Sequence, residues 1–390
     1  MVHSSLWELF KVSLKLGLTS FGGPIAHIGY FREEYVHRKK WLDEKSYADM
    51  VALCQFLPGP ASSQIGIGIG LMRGGLPGAI IAWLGFTMPS ALALAIFGYL
   101  YQGYGTSGSG WIHGLQLAAV VIIAQAVWGM GKSLTPDRTR MSIAVITAIV
   151  TLLWSSSWSQ VLLIAAGGLA GLAFYKEAPV EAASELPKTI SKKPAAAALI
   201  LFFGLLILLP LLRIIYPTDW VALIDSFYHS GALVFGGGHV VLPLLEREVV
   251  SPGWMTEQQF LAGYGAAQAV PGPLFTFAAY LGMAMKGWVG AAASLMAIFL
   301  PAFLLVIGVL PFWHSLRQRA SAKRALFGIN AVVVGMLLAA LYNPVWTSAV
   351  HTPVDFGIVL AAFVLLMYWK LPPWLIVAFT ALAGWLISWI

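Results

Sequence analysis

Charged residues are scarce in this sequence, and their scarcity limits the class of protein it can encode. Only 10% of the 390 residues are Asp, Glu, Lys or Arg, whereas 59% are hydrophobic. An ordinary soluble domain carries about 25% charged residues, so this composition excludes a fold whose whole surface faces water. Apolar runs such as 76–104, 195–216 and 288–313 reach the ~20 residues that a membrane-spanning helix needs. The sequence predicts an all-α polytopic membrane protein.

Cysteine is almost absent, and the motifs of metal and nucleotide chemistry are missing. The single Cys54 excludes a disulfide within the chain. We find no Asp-rich motif, no paired His at ligand spacing and no nucleotide-binding loop, so we expect no catalytic residue, no metal and no cofactor. The net charge of +7 is concentrated in short loops, which favours the positive-inside rule over nucleic-acid binding. The expected partners are the lipid bilayer, a transported solute and, as a possibility, a second copy in a homodimer.

An internal repeat organises the chain. The segment Phe21-Gly22-Gly23 returns 214 residues later as Phe235-Gly236-Gly237, and Trp41 returns as Trp254. The segments Gln55–Pro60 and Gln268–Pro273 both contain Pro-Gly-Pro. So many Gly, Pro, Trp and Gln matches in conserved order indicate duplication. We expect a first transporter repeat at 1–175, a cytoplasmic linker at 176–194, a linking transmembrane helix at 195–216 and a second repeat at 217–390.

Each Pro-Gly-Pro is expected to break a helix inside the membrane. Asp43 and Thr256 are suitable N-caps, and helices that begin there must stop before Pro58 and Pro271. About 14 residues span roughly 21 Å, which is too short for a ~30 Å hydrocarbon core. A re-entrant hairpin bent at the break is therefore expected, with full crossing as the alternative.

Loop charges indicate that the two repeats are inverted. The loop 32–45 carries five Lys or Arg residues, whereas its counterpart 246–259 carries one Arg and three Glu. The turn 102–112 has no Lys or Arg, whereas its counterpart 314–324 has four. Basic loops mark the cytoplasmic side, so corresponding loops should lie on opposite sides, as in inverted-repeat transporters.

A helix that restarts after Pro-Gly-Pro presents unpaired backbone N–H groups and a partial positive charge. Such helix starts bind phosphate- and sulfate-like anions, and hydroxyl and amide side chains beside them add donors. We also include Lys15, because a cation within a membrane helix is a functional candidate. The predicted substrate-binding residues are Gln55, Pro58, Gly59, Pro60, Ser62, Ser63, Gln268, Pro271, Gly272, Pro273, Thr276 and Lys15.

Two further sets of residues are candidates for gating and coupling. The glycine-rich breaks permit close packing against the hairpins, and a purely structural role is equally consistent with them. These residues are Phe21, Gly22, Gly23, Phe235, Gly236, Gly237 and Gly238. The proton-coupling candidates are Glu34 and Glu248, which recur at matched positions, and His239, whose reference pKa near 6.5 suits titration.

The duplicated Phe-Gly-Gly, the Trp41 and Trp254 pair and the two Gln-to-Pro-Gly-Pro segments together resemble the chromate ion transporter family in its long two-domain form. The resemblance covers nearly the whole chain. It implies a multi-pass protein of the bacterial cytoplasmic (inner) membrane that exports chromate, a tetrahedral dianion shaped like sulfate, driven by the proton gradient. It marks Phe21, Gly22, Gly23, Pro58, Gly59, Pro60 and their second-repeat equivalents.

Four functions remain open on the sequence alone. A proton-coupled secondary transporter that exports chromate fits best, and a permease for sulfate or another anion is the runner-up. An anion channel would use the same broken helices. An intramembrane enzyme would need a converging acid, base or metal cluster, which the sequence does not present.

Overall fold

The computed structural model describes residues 6–103, 110–154, 159–175 and 191–389, and every regular element in these ranges is a helix. The first seven helices are α1 (Leu6–Thr19), α2 (Gly23–Arg32), α3 (Glu44–Phe56), α4 (Ala61–Gly103), α5 (Gly110–Leu134), α6 (Arg138–Leu153) and α7 (Ser159–Phe174). Helix α8 (Lys192–Ile215) follows. The remaining helices are α9 (Asp219–Leu233), α10 (Val241–Val249), α11 (Glu257–Ala269), α12 (Phe277–Val309), α13 (Trp313–Arg317), α14 (Ala320–Ala340), α15 (Thr347–Ala349), α16 (Pro353–Met367) and α17 (Pro373–Ile387).

The helices confirm the predicted class. Five segments in the described ranges are long and apolar enough to cross a membrane, namely 61–102, 110–134, 192–215, 274–316 and 320–349. The chain is an all-α polytopic membrane protein. Helix α8 covers the segment predicted as the linking helix, whereas most of the predicted linker 176–194 lies outside the described residues.

Seven helices of the first half recur in the second, with α8 between the two sets. Helices α1 to α7 correspond in order to α9, α10, α11, α12, α14, α16 and α17. The backbone repeats in detail where α4 and α12 bend. Gly74 and Gly75 have φ, ψ of −139°, 18° and 62°, −155°, and Lys286 and Gly287 have −142°, 22° and 65°, −156°.

Each Pro-Gly-Pro forms the tip of a helical hairpin. The Met50 side chain packs against the backbone of Gly68, which lies equally far beyond Gly59. In the second repeat Tyr280 donates a hydrogen bond to the carbonyl of Gln259 across the break, at 2.8 Å. Both α3 and α11 begin at the predicted N-caps, whose side chains accept from the backbone amides of Ser46 and Gln259. Each short helix and the one that follows it therefore run antiparallel.

The entry and exit of the first hairpin lie at the same end of the molecule. The guanidinium of Arg73 stacks over the ring of Trp41, 5.0 Å from its centre. We call this the Trp41 end. From there residues 76–103 of α4 extend for about 42 Å. This segment ends beside the second bend. There the Gln102 side chain donates to the carbonyl of Ala284 at 2.5 Å, and the ring centres of Tyr99 and Trp288 are 6.3 Å apart.

We call the opposite end, which contains the bend at Lys286 and Gly287, the Lys286 end. Because the first bend lies at the Trp41 end and the second at the Lys286 end, corresponding segments of the two repeats run in opposite directions.

The repeats pack against each other through matched glycines. Gly114 of α5 lies against the backbone of Thr380 in α17, and Gly328 of α14 lies against the backbone of Gly167 in α7. Small residues allow helix backbones to approach closely in membrane proteins. This contact fixes α5 beside the second hairpin, where the candidate site lies.

Candidate functional site

The two hairpin tips meet the glycine-rich breaks of the opposite repeat. The amide of Gly59 donates to the carbonyl of Val234 at 2.7 Å, and the amide of Gly272 donates to the carbonyl of Ser20 at 2.9 Å. Val234 and Ser20 each precede a Phe-Gly-Gly segment. The predicted substrate-binding and gating segments therefore come together across the repeat interface, in two matched crossings.

A cavity of about 50 Å³ adjoins the second of these crossings. Its walls come from both repeats and from the start of α17. The lining residues are Ser20, Gly22, Gly23, Ile122, Gln125, His239, Ala267, Gln268, Val270, Gly272, Leu274 and Pro373. No Lys, Arg, Asp or Glu occurs among them, so the cavity offers hydrogen bonds and helix-end charge and no formal ion.

By distance and angle, two polar groups of these residues have no hydrogen-bond partner in the described part of the chain, although the Gln268 side chain also lies near the Tyr264 hydroxyl. The side-chain amide nitrogen of Gln268 and the hydroxyl of Ser20 are both buried without a hydrogen bond. His239 is held from one side, because its Nδ1 lies 2.8 Å from the hydroxyl of Tyr264, and its Nε2 approaches Gly23. Buried polar groups are nearly always satisfied. Unpartnered donors on a cavity wall are suited to a ligand that accepts hydrogen bonds.

The two helix restarts differ in which donors they leave free. After the first break the backbone amides of Ala61 to Ser63 have no acceptor within their helix, and the Ser63 hydroxyl is buried without a partner. The second restart is a short 3₁₀ turn at Leu274–Thr276. There both the amide and the hydroxyl of Thr276 donate to the carbonyl of Pro273, at 3.0 and 2.7 Å. In this structure Thr276 therefore uses both donors within the turn, and its role in substrate binding stays a prediction.

The two glutamines predicted as equivalent donors are placed differently. Gln268 lines the cavity, whereas Gln55 is exposed and does not contribute to its wall. In the first hairpin a different glutamine occupies the tip, since Gln64 donates to the carbonyl of Pro58 at 2.7 Å. Helix α11 packs on α5 and is thereby enclosed, whereas α3 packs mainly on α4.

Lys15 and Glu34 form an ion pair with each other. The Lys15 ammonium lies 2.6 Å from the Glu34 carboxylate, which is buried, and Arg38 approaches the same carboxylate at 3.7 Å. Neither side chain lines the cavity. The structure therefore places Lys15 as the partner of a buried carboxylate and away from the other predicted substrate-binding residues.

Glu248 occupies the position in the second repeat that Glu34 has in the first, and it is also partnered. It accepts a short hydrogen bond from the Ser226 hydroxyl, and the Arg213 guanidinium lies 3.5 Å away. Arg213 belongs to α8, and it also reaches Asp225 at 3.3 Å. Each of the two matched glutamates thus forms an ion pair with a basic side chain.

Sequence reasoning missed three polar residues of the site. Ser20, Gln125 and Gln64 were not among the candidates, although Gln125 is a polar residue within a long apolar helix and Ser20 directly precedes Phe-Gly-Gly. Polarity inside an apolar run is the signal that identifies them. Their convergence depends on the antiparallel packing of the repeats, which a single sequence does not display.

Comparison with known proteins gives consistent results over nearly the whole chain. The chromate transporter family matches twice, at residues 7–172 and 221–385. A chromate transport protein of Pseudomonas aeruginosa is 30% identical, with 97% of this chain and 92% of that protein covered. A probable chromate transport protein of Synechococcus elongatus is also 30% identical, with 97% and 95% covered. A chromate transport protein of Cupriavidus metallidurans is 28% identical, with 97% of this chain and 92% of that protein covered. No solved structure matches the chain. With both repeats matched, the chain belongs to the chromate transporter family.

Proposed function

We propose that this membrane transporter exports chromate across the cytoplasmic membrane in exchange for protons. The anion binds between the second Pro-Gly-Pro and the first Phe-Gly-Gly. The observation that carries the proposal is the cavity at the repeat interface, which Gln268 and Ser20 line and beside which the Gln268 amide nitrogen and the Ser20 hydroxyl are buried without hydrogen-bond partners. Its neutral walls suit a dianion that must bind and leave, because a fixed cation would hold it.

The site also fits alternating access. Its walls come from both repeats, and the two crossings at Gly59 and Gly272 are matched. In inverted-repeat transporters one repeat moves against the other around such a midpoint. Chromate as substrate agrees with the names of the relatives. The direction of transport and the coupling to protons rest on the family resemblance.

The decisive experiment compares Gln268→Leu with its repeat counterpart Gln55→Leu. Protein reconstituted in liposomes is assayed for flux of radiolabelled chromate. A hydrogen bond to a charged ligand contributes roughly 1.5 to 3 kcal/mol, so Gln268→Leu should lower flux at limiting chromate about 10- to 100-fold. Gln55→Leu should stay close to wild type, because its side chain is exposed away from the cavity. Equal losses in both variants would contradict the placement of the site.

Two further measurements on the wild-type protein test the chemistry of transport. Unlabelled chromate on the far side should accelerate entry of label, whereas a channel shows no such stimulation. Unlabelled sulfate, added together with labelled chromate, should compete only weakly for transport. If sulfate is carried and chromate is not, the substrate assignment is wrong.

A further inference from the structure

A matched pair of positions carries opposite chemistry in the two repeats. In the first repeat Arg32 forms a bidentate ion pair with Glu44, with nitrogen-to-oxygen distances of 2.8 and 2.9 Å. The equivalent residues of the second repeat are Glu246 and Glu257. An ion pair at the Trp41 end is thus replaced by two carboxylates at the Lys286 end. Two ionised carboxylates that lie close together repel each other, and this repulsion favours protonation of one of them.

Both carboxylates line a second cavity of about 140 Å³ with largely polar walls. Its other walls come from the end of α6, the start of α7 and residues 339–344, and none of the residues that these segments contribute is charged. The charged group that shares the cavity with the pair is Arg247, next to Glu246 on α10. Its guanidinium donates to the Ser159 hydroxyl at 2.6 Å and to the Thr151 carbonyl at 3.3 Å.

The surroundings of Glu246 move the titration of its carboxyl towards neutral pH. Burial and, to a smaller extent, the negative charge of Glu257 together raise the pKa of Glu246 to about 7, although the positive charge of Arg247 acts in the opposite direction. A group with a raised pKa holds its proton below that value and releases it above. Glu246 lies at the end of α10, outside the segments long enough to span a membrane. Glu246 lines the cavity at the Lys286 end.

Glu257 connects this cavity with the anion site. It is the first residue of α11, and its carboxylate accepts a short hydrogen bond from the Ser348 hydroxyl. The same helix carries Gln268 about 17 Å further along. Charge at the start of a helix interacts with its dipole, so a change in the ionisation of the pair changes the preferred position of α11. Movement of α11 would carry Gln268 with it.

We propose that Glu246 and Glu257 form a proton-binding site that couples the second hairpin to the pH at the Lys286 end. In acid solution Glu246 holds the proton, and loss of that proton leaves two negative charges that repel on the wall of one cavity. Uptake and release of this proton bias the position of α11, and with it the anion site. Coupling in this form rests on the proposed function, whereas the proton site itself does not.

The first experiment titrates the pair without requiring transport. Dicyclohexylcarbodiimide reacts with protonated carboxyl groups, and peptide mass spectrometry quantifies the modified Glu246. In the solubilised wild-type protein, labelling should be half-maximal near pH 7. In Glu257→Gln the midpoint should move to lower pH, because a negative neighbour is removed. Labelling confined to pH values below about 5, the ordinary range of a carboxyl, would overturn the proton site.

The second experiment measures chromate flux in proteoliposomes from pH 6 to 8. Wild-type flux should change with pH across this range, and Glu246→Gln should remove most of that change. The matched control is Glu44→Gln, whose carboxylate is exposed and paired with Arg32, and which should keep the wild-type profile. A wild-type profile in Glu246→Gln would overturn the coupling. Absence of chromate flux in the wild type would instead refute the proposed function, and the labelling result would still decide the proton site.

Discussion

At the residue scale, the two hairpin tips depend on glycines in a conformation that other residues rarely adopt. Gly59 and Gly272 have φ of 118° and 106°. A Cβ added to Gly272 would lie 2.8 Å from the Ser90 hydroxyl, and one added to Gly59 would lie 2.8 Å from the Gln64 amide. Both tips also donate the amide that ties them to the other repeat. A side chain here would disturb the crossing that borders the anion cavity.

We predict that Gly272→Ala lowers chromate flux at least tenfold while the protein still inserts and can be purified. The backbone strain costs roughly 1 to 3 kcal/mol, and the contact with Ser90 displaces the tip. Flux in proteoliposomes at equal protein content is the measurement. Gly253→Ala is the matched control, since its φ is 80° but an added Cβ meets nothing within 4 Å. If both variants lose flux to the same extent, strain alone accounts for the effect.

The sequence identified the residues at the breaks but not their separate roles. Gln55 and Gln268 stand at matched positions, and the repeat alone predicts equal use. Their difference arises because α11 packs on α5 of the other repeat and α3 packs mainly on α4. Lys15 is similar, since its partner Glu34 is 19 residues away and is brought to it by the turn between α1 and α2. Tertiary packing assigns these roles.

At the scale of the elements, proline and capping chemistry predicted the short helices well. Helices α3 and α11 end directly before Leu57 and Val270 and begin at the expected caps. The sharp bends at Gly75 and Gly287 were not predicted, because Gly-containing apolar runs read as continuous helix in a hydropathy pattern. The 3₁₀ restart of the second hairpin was also missed. Such local differences depend on backbone hydrogen bonds that composition does not specify.

The contact between α5 and α17 gives a prediction at the same scale. A Cβ on Gly114 would lie 2.2 Å from the Thr380 carbonyl, so Gly114→Ile must separate the two helices. Overpacking of this kind costs roughly 1 to 3 kcal/mol or more, and α5 also carries Gln125 of the cavity wall. We expect a lower thermal midpoint in detergent and reduced flux. Gly129→Ile on the same helix is the control, because an added Cβ there meets nothing within 4 Å. Equal stability of the two variants would contradict the packing.

At the scale of the whole molecule, the antiparallel repeats gather the basic loops at one end. Arg140 of α6 stacks on Tyr175, and Arg324 of α14 donates to the Tyr175 carbonyl at 2.9 Å. The starts of these helices from different repeats therefore lie side by side. The basic loop 32–45 lies at the Trp41 end, whereas its counterpart 246–259, with three Glu and one Arg, adjoins the carboxylate cavity at the Lys286 end. The positive-inside rule then assigns the Trp41 end to the cytoplasm.

This assignment predicts the accessibility of each end in intact cells. Cys54 is buried, so Cys54→Ala provides a background without cysteine, into which Lys40→Cys or Ser251→Cys is introduced. A membrane-impermeant maleimide should label the Ser251→Cys variant in intact cells, and the Lys40→Cys variant only after permeabilisation. Lys370→Cys is a further control from the second repeat. Helix α17 runs antiparallel to α5, which places Lys370 towards the Trp41 end and predicts labelling like that at position 40. Equal labelling at positions 40 and 251 in intact cells would refute the inversion. It would also remove the outside face from which the Glu246 and Glu257 pair is proposed to take its proton.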